Sequence, residues 1–192
     1  IPFLPLQTMW LNFTVNVFQA IGLGYGKPRD GLMKDPPRPK ETKIIPPRLM
    51  RWLVTYGLVM AVGTLGVLAW ASGAYGDVIA RTMGVTTFAL FRLFSSLETA
   101  DEEESLFSGS ILGNRPLLIA TGLSVLTIIF ATELGFLQRI LGTTSLTADQ
   151  WAICLLVSLS LVLVEEGRKL LKIRTGDEPA AAVPAASRSI AK

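Results

Sequence analysis

Four stretches of this chain, Trp52–Ala71, Val78–Leu97, Pro116–Phe136 and Leu146–Val164, each approach the roughly 20 apolar residues needed to cross the ~30 Å hydrocarbon layer of a bilayer. In hydrocarbon the backbone must pair its own N–H and C=O groups, and a helix does so within one segment. These runs therefore predict an all-α membrane protein. A fifth run, roughly Gln7–Tyr25, is apolar enough to join them except for its amides, so five transmembrane helices are expected. Composition agrees: half of the 192 residues are hydrophobic, 17% are charged and the mean hydropathy is +0.47, against about a quarter charged in soluble domains.

The same residues exclude several chemistries. There is no histidine, so imidazole ligands and imidazole bases are gone, and Ser95, Ser96 and Ser158 have no base of that kind to activate them. The single cysteine, Cys154, rules out an internal disulfide and any cysteine-only metal site and reads as a small packed or lipid-facing residue. No Gly-x-x-x-x-Gly-Lys phosphate loop occurs. The acidic run Asp101–Glu104 reads as a solvated helix end rather than a catalytic pair. The chain begins Ile-Pro-Phe-Leu-Pro, with neither an initiator methionine nor a signal-peptide pattern, and is expected to be the tail of something longer.

Charge orders the spans. With five alternating crossings, fifteen of the eighteen Lys and Arg residues fall on one face, in the loop 26–51, at Arg115 and in the tail 167–192. Arg81 and Arg139 fall on the other, and Arg92 lies inside a span. The positive-inside rule then places the basic loops and the C-terminus in the cytoplasm. The net charge of +3 does not point to nucleic acid, because the basic residues hug the membrane ends and lack interleaved aromatic stacking residues. Four units are expected: residues 1–25, a helix with a polar stripe; 26–51, a Pro-rich cytoplasmic strap; 52–166, a four-helix bundle; and 167–192, a disordered tail rich in Ala, Pro and Ser.

Two features inside the spans demand partners. At helical spacing Thr8, Asn12, Asn16 and Gln19 share a face for about three turns, and an amide left unpaired in hydrocarbon costs several kcal/mol. Such a stripe is either hydrogen-bonding glue between packed helices or the wall of an ion or substrate path. Arg92 sits near the centre of its span among Phe88, Leu90, Phe91, Leu93 and Phe94, where a guanidinium costs about 3 to above 10 kcal/mol. It needs an acid outside this chain, backbone carbonyls, or the oxygens of Asn12, Asn16 and Gln19. Glu133 lies within a turn of its span's end and can reach water.

The segments PLQTMWLNFTVN, GLMKDPPRPKET, ARTMGVTTFALFRLFSSLETADEEESLF and LQRILGTTSLTADQWAICLLVSLSLVLVEEGRK, in this order and spacing, resemble the last five membrane helices of calcium-pump-like type II P-type cation-transporting ATPases. The likeness runs from Pro5 to about Lys172 and implies helices six to ten of a ten-helix pump. Such pumps use ATP and Mg²⁺ through an aspartyl-phosphate in an Asp-Lys-Thr-Gly-Thr motif. That motif is not in these residues, so the chain alone is expected to hold no cofactor and to hydrolyse no ATP.

The resemblance also implies cation ligands. Calcium-type members carry Asn-x-x-Thr-Asp in the sixth helix, which falls on Asn12, Val15 and Asn16: one match, one position without a side-chain oxygen, and one amide where a carboxylate is usual. Arg92 aligns with an acidic or amide ligand of the eighth helix, so a fixed cation stands where a second ion would sit. The expected partners are therefore the lipid bilayer, the transported cation and the N-terminal part of the pump, with the plasma membrane as the setting. The alternative is a truncated, non-catalytic membrane protein or a partner subunit of a separately encoded pump half.

Overall fold

The computed structural model describes residues 3–25, 47–100 and 115–170. Most of the Pro-rich strap, the acidic run Asp101–Glu104 and the tail beyond residue 170 lie outside the described residues. Within them every regular element is helical and none is a strand. The first span is built in three pieces: α1 (Pro5–Trp10), a π-helical turn (Leu11–Asn16) and α2 (Val17–Gly24). Then come α3 (Pro47–Tyr75), α4 (Asp77–Ala100), α5 (Arg115–Glu133), the short α6 (Gly135–Leu141) and α7 (Ala148–Leu170). Four of these, α3, α4, α5 and α7, are long and apolar enough to cross a membrane.

Local chemistry sets the boundaries. Pro5 opens α1 and Pro47 opens α3, both at a first-turn position where the missing N–H removes nothing. The Gln7 side-chain Oε1 accepts the Leu4 N–H at 2.9 Å, half of a capping box. Gly76 alone separates α3 from α4, and its φ of +86° is open only to glycine at little cost. The third apolar run does not continue to Phe136 as a single span: α5 stops at Glu133, Leu134 is extended, and α6 begins at Gly135. At the basic ends, α3 begins four residues before the expected loop boundary at Arg51, and α7 runs on to Leu170, past the expected boundary after residue 166.

Helix α4 is the most enclosed of the four long helices and α3 the least. It packs on α3 and α7, while the first span packs mainly on α5 through α2. Glycine sets two close approaches. At Gly63 of α3 the fully buried ring of Phe91 comes so near that an added Cβ would stand 2.7 Å from it, and at Gly22 of α2 a Cβ would meet that of Ala120 at 2.7 Å. Cys154 is buried and directs its thiol at the Met83 carbonyl oxygen, 3.6 Å away, which is the packed reading of that residue. Some hydroxyls inside the spans donate to carbonyls one turn back, Ser124 to Ala120 at 2.9 Å and Ser158 to Cys154 at 2.8 Å.

Candidate ion site in the first span

The first span owes its geometry to the π-helical turn. A π turn bonds i to i+5 and so inserts one extra residue, which rotates everything after it relative to a regular helix; such turns recur at functional sites. Leu11, Thr14 and Val15 turn inward, with Val15 only 1% exposed, and the Thr14 hydroxyl is spent on the Trp10 carbonyl at 2.6 Å. Asn12 faces away from the bundle and Asn16 lies half-buried at its edge. Asn16 Nδ2 donates to Asn12 Oδ1 at 2.9 Å. The two amides thus form one unit on a side of the helix that, among the described residues, the other helices leave uncovered. Thr8, also exposed, donates weakly to Leu4 O at 3.4 Å.

Gln19 does not share that face. It is 4% exposed and points into the bundle, where its Nε2 donates to Ser124 Oγ of α5 at 3.1 Å. Its Oε1 has no hydrogen-bond partner among the described residues. The expected stripe of four is therefore two features: an outward amide pair and an inward amide that ties α2 to α5. The phase shift of the π turn, which no residue pattern announced, separates them.

Arg92 is half-buried on α4, with its guanidinium carbon 5.3 Å from the centroid of the Phe88 ring one turn earlier. A cation over an aromatic face gains about 0.5–2 kcal/mol, which offsets part of the cost of its depth. The Phe88 ring in turn lies 5.6 Å from that of Phe3, ahead of α1. Among the described residues no carboxylate pairs with Arg92, and no hydrogen bond joins it to Asn12, Asn16 or Gln19. The structure brings Asn12 and Asn16 together and leaves Gln19 and Arg92 in separate surroundings. Among the described residues no three His, Cys, Asp or Glu side chains converge as a metal site. What the amide pair offers a cation is neutral oxygen, with Asn16 Oδ1 not engaged in the pair.

Two polar centres escaped the sequence reading. Gln7, 1% exposed, donates through Nε2 to Leu141 O at 2.9 Å and fastens the start of the first span to the end of α6. At the opposite end, Glu165 of α7 accepts from Trp52 Nε1 at 3.0 Å and from Arg168 Nε at 2.9 Å, and forms an ion pair with Arg168. The Arg168 guanidinium carbon lies 5.7 Å from the Trp52 ring centroid. Only the spacing of Glu165 and Arg168 on one helix face was visible beforehand; Trp52 is 113 residues away in sequence.

The family profile described as "Cation transporting ATPase, C-terminus" matches residues 1–171. The Calcium-transporting ATPase 1 of Saccharomyces cerevisiae is 31% identical over 92% of this chain, and that of Yarrowia lipolytica 28% identical over 91%. The Cation-transporting ATPase pma1 of Synechocystis is 26% identical over 85%. The chain spans about a fifth of the length of these curated relatives, 19% of each.

Proposed function

Because this chain belongs to the family formed by the C-terminal membrane region of cation-transporting P-type ATPases, we propose that it supplies part of the ion site of an ATP-driven pump through Asn12 and Asn16. Its multi-pass helical character and its place in a pump's membrane domain follow from the family and the four long spans. The observation that supports the finer reading is the amide pair. Two side chains joined at 2.9 Å stand in a π-helical turn on a face that the other described residues leave open. In hydrocarbon that face must meet protein, water or an ion.

In this reading the carboxylates of the site come from helices outside these residues, as do the phosphorylated aspartate and the binding of ATP and Mg²⁺. The N-terminal part of the pump is then the partner that covers the open face. The cation is Ca²⁺ by likeness to relatives named for calcium, although Ca²⁺ favours six to eight oxygens including carboxylates, and this pair adds no charge. Arg92 supplies a fixed positive charge that takes the place of one transported ion. The basic ends and the C-terminus lie in the cytoplasm, and the membrane is the plasma membrane.

The test uses the full-length pump. Asn12→Ala and Asn16→Ala should each raise the cation concentration for half-maximal ATPase activity about tenfold or more, with Ca²⁺, Mn²⁺, Mg²⁺, Na⁺ and K⁺ compared in turn. Unchanged activation by every one of these cations in both variants would refute the site. A family member that no longer pumps, the second reading, would show no cation-dependent ATPase in the unsubstituted protein either.

A further inference from the structure

Buried side chains of the first span recur at every fourth residue: Gln7, Leu11, Val15 and Gln19 are each 6% exposed or less. Met9, Phe13, Val17 and Ile21, two positions on from each, are all exposed. An α-helix turns about 100° per residue, so a four-residue repeat drifts by about 40° a step and would leave Gln7 and Gln19 about 120° apart around the axis. The π turn at Leu11–Asn16 cancels that drift. It takes one residue out of the count and leaves the two amides about 20° apart, on one side of the span.

That side meets a single platform. Helix α6 is tied to the end of α5, because Gln138 Nε2 donates to Thr132 O and Thr143 Oγ1, just past α6, donates to Ala131 O. Gln7 binds the platform at one point, accepting the Leu4 N–H and donating to Leu141 O of α6, both at 2.9 Å. Gln19 binds it at another, donating to Ser124 Oγ of α5 at 3.1 Å. Three residues on, Gly22 lies too close to Ala120 to carry a Cβ. A plain α-helix cannot satisfy both amides, since one of them would face away from α5 and α6. The extra residue is absorbed between the anchors, in the turn that carries Asn12 and Asn16.

We propose that Gln7 and Gln19 are positioning residues of the amide site: as two buried anchors on α5 and α6 they hold the first span in its π register, and that register turns the Asn12–Asn16 pair away from the bundle. The bonds of Gln7 go to Leu4 and Leu141 and that of Gln19 to Ser124, so the anchors act on the pair only through the backbone between them. With either anchor released, relaxation of the turn to an α-helix swings Asn12 by about 100° relative to α2. The positioning role rests on the ion-site reading, whereas the register does not, and the two are measured separately.

Both measurements use the full-length protein. The first reads the register with no ion involved. Deletion of Phe13, an exposed residue inside the turn, removes the extra residue and leaves the anchors about 20° apart in a plain α-helix, so the unfolding midpoint in detergent should stay near that of the unsubstituted protein. Deletion of Ala20, exposed as well but beyond both anchors, puts Leu23 where Gly22 packs on Ala120 and should lower the midpoint. Equal losses from the two deletions overturn the proposal.

The second measurement reads the site. Gln7→Leu, and the milder Ser124→Ala at the other anchor, should each raise the Ca²⁺ concentration for half-maximal ATPase activity several-fold while the maximal rate is kept. A lower maximal rate at an unchanged Ca²⁺ requirement is the mark of general damage and overturns the positioning role. Asn12→Ala is the reference. If it raises the Ca²⁺ requirement and neither anchor variant does, the ion site stands and the role of the anchors falls. If none of the three raises it, the ion site falls and takes the positioning role with it.

Discussion

Asn16 donates its side-chain N–H to the Asn12 carbonyl oxygen at 2.9 Å within the π-helical turn Leu11–Asn16. The bond orders both amides on the open face and leaves the Asn16 carbonyl oxygen outside the pair. Replacing Asn16 by Asp keeps the shape, adds a charge and exchanges the N–H that Asn12 Oδ1 accepts for a second oxygen, so that both side chains can face one cation. On the proposed ion-site role, Asn16→Asp in the full-length protein should tighten divalent-cation activation by about tenfold, roughly 1.4 kcal/mol, with a smaller gain for K⁺. Activation curves for Ca²⁺ and K⁺ measured in parallel check the outcome.

Arg92 carries a fixed charge beside the Phe88 ring, 5.3 Å from its centroid. A cation placed about 4 Å from a guanidinium is repelled by about 4 kcal/mol at an effective dielectric of 20. If Arg92 takes the place of one ion, Arg92→Gln should raise the number of cations bound per phosphorylation site by one. Equilibrium binding of radiolabelled cation reads the stoichiometry, and an unchanged number counts against that role.

Gln19 and Ser124 are joined at 3.1 Å in a buried contact between α2 and α5. Ser124→Ala leaves the Gln19 amide with neither of its ends hydrogen-bonded and should destabilise the protein by about 1–2 kcal/mol, near the upper range for hydrogen bonds between membrane helices. Gln19→Leu combined with Ser124→Ala should cost less than Ser124→Ala alone, because no amide then remains to be buried. Thermal unfolding midpoints in detergent for the three variants test the ordering.

Gly63 and Gly57 lie on the same helix in opposite circumstances. A Cβ at Gly63 would come within 2.8 Å of two Phe91 ring atoms and 3.3 Å of Val157, whereas a Cβ at Gly57 meets nothing within 4 Å. Gly63→Ala should therefore destabilise α3–α4 packing by about 1–3 kcal/mol. Gly57→Ala should be neutral or stabilising by up to about 1 kcal/mol through helix propensity. The unfolding midpoint should fall for Gly63→Ala and hold or rise for Gly57→Ala.

Glu165 gathers Trp52 and Arg168 between α3 and α7. Trp52→Phe removes one hydrogen bond to a charged group, for a loss of about 1.5–3 kcal/mol. Glu165→Leu removes the buried ion pair with Arg168, which is 7% exposed, and should cost about 3–5 kcal/mol. Limited proteolysis at the C-terminal end of α7 should accelerate in both variants, and more in the second.

The long spans were legible from apolar runs alone, because in hydrocarbon a chain of this composition has no better use for its backbone polar groups than a helix. Their ends were less so. The break at Leu134 turns on local geometry, and α7 outlasts its apolar run because Arg168 is neutralised by Glu165, a residue on its own helix. The amides of the first span were visible as polar residues in the wrong place, and the family likeness singled out Asn12 and Asn16. That Gln19 belongs to a different surface was not readable from helical spacing, since a π turn shifts the phase without any residue that marks it.

By itself, then, the sequence determined an all-helical membrane chain, its crowded basic ends and the residue types available to a cation. Those follow from interactions of each segment with hydrocarbon and water, which depend on local composition. Tertiary structure decided which polar side chains are spent on packing and which are left open. Gln7 reaches Leu141 across 134 positions, Gln19 reaches Ser124 across 105 and Trp52 reaches Glu165 across 113. Asn12 and Asn16 find each other within one turn and, among the described residues, keep an open face. A hydrogen bond between distant residues exists only once the helices have packed, so no local pattern could assign it.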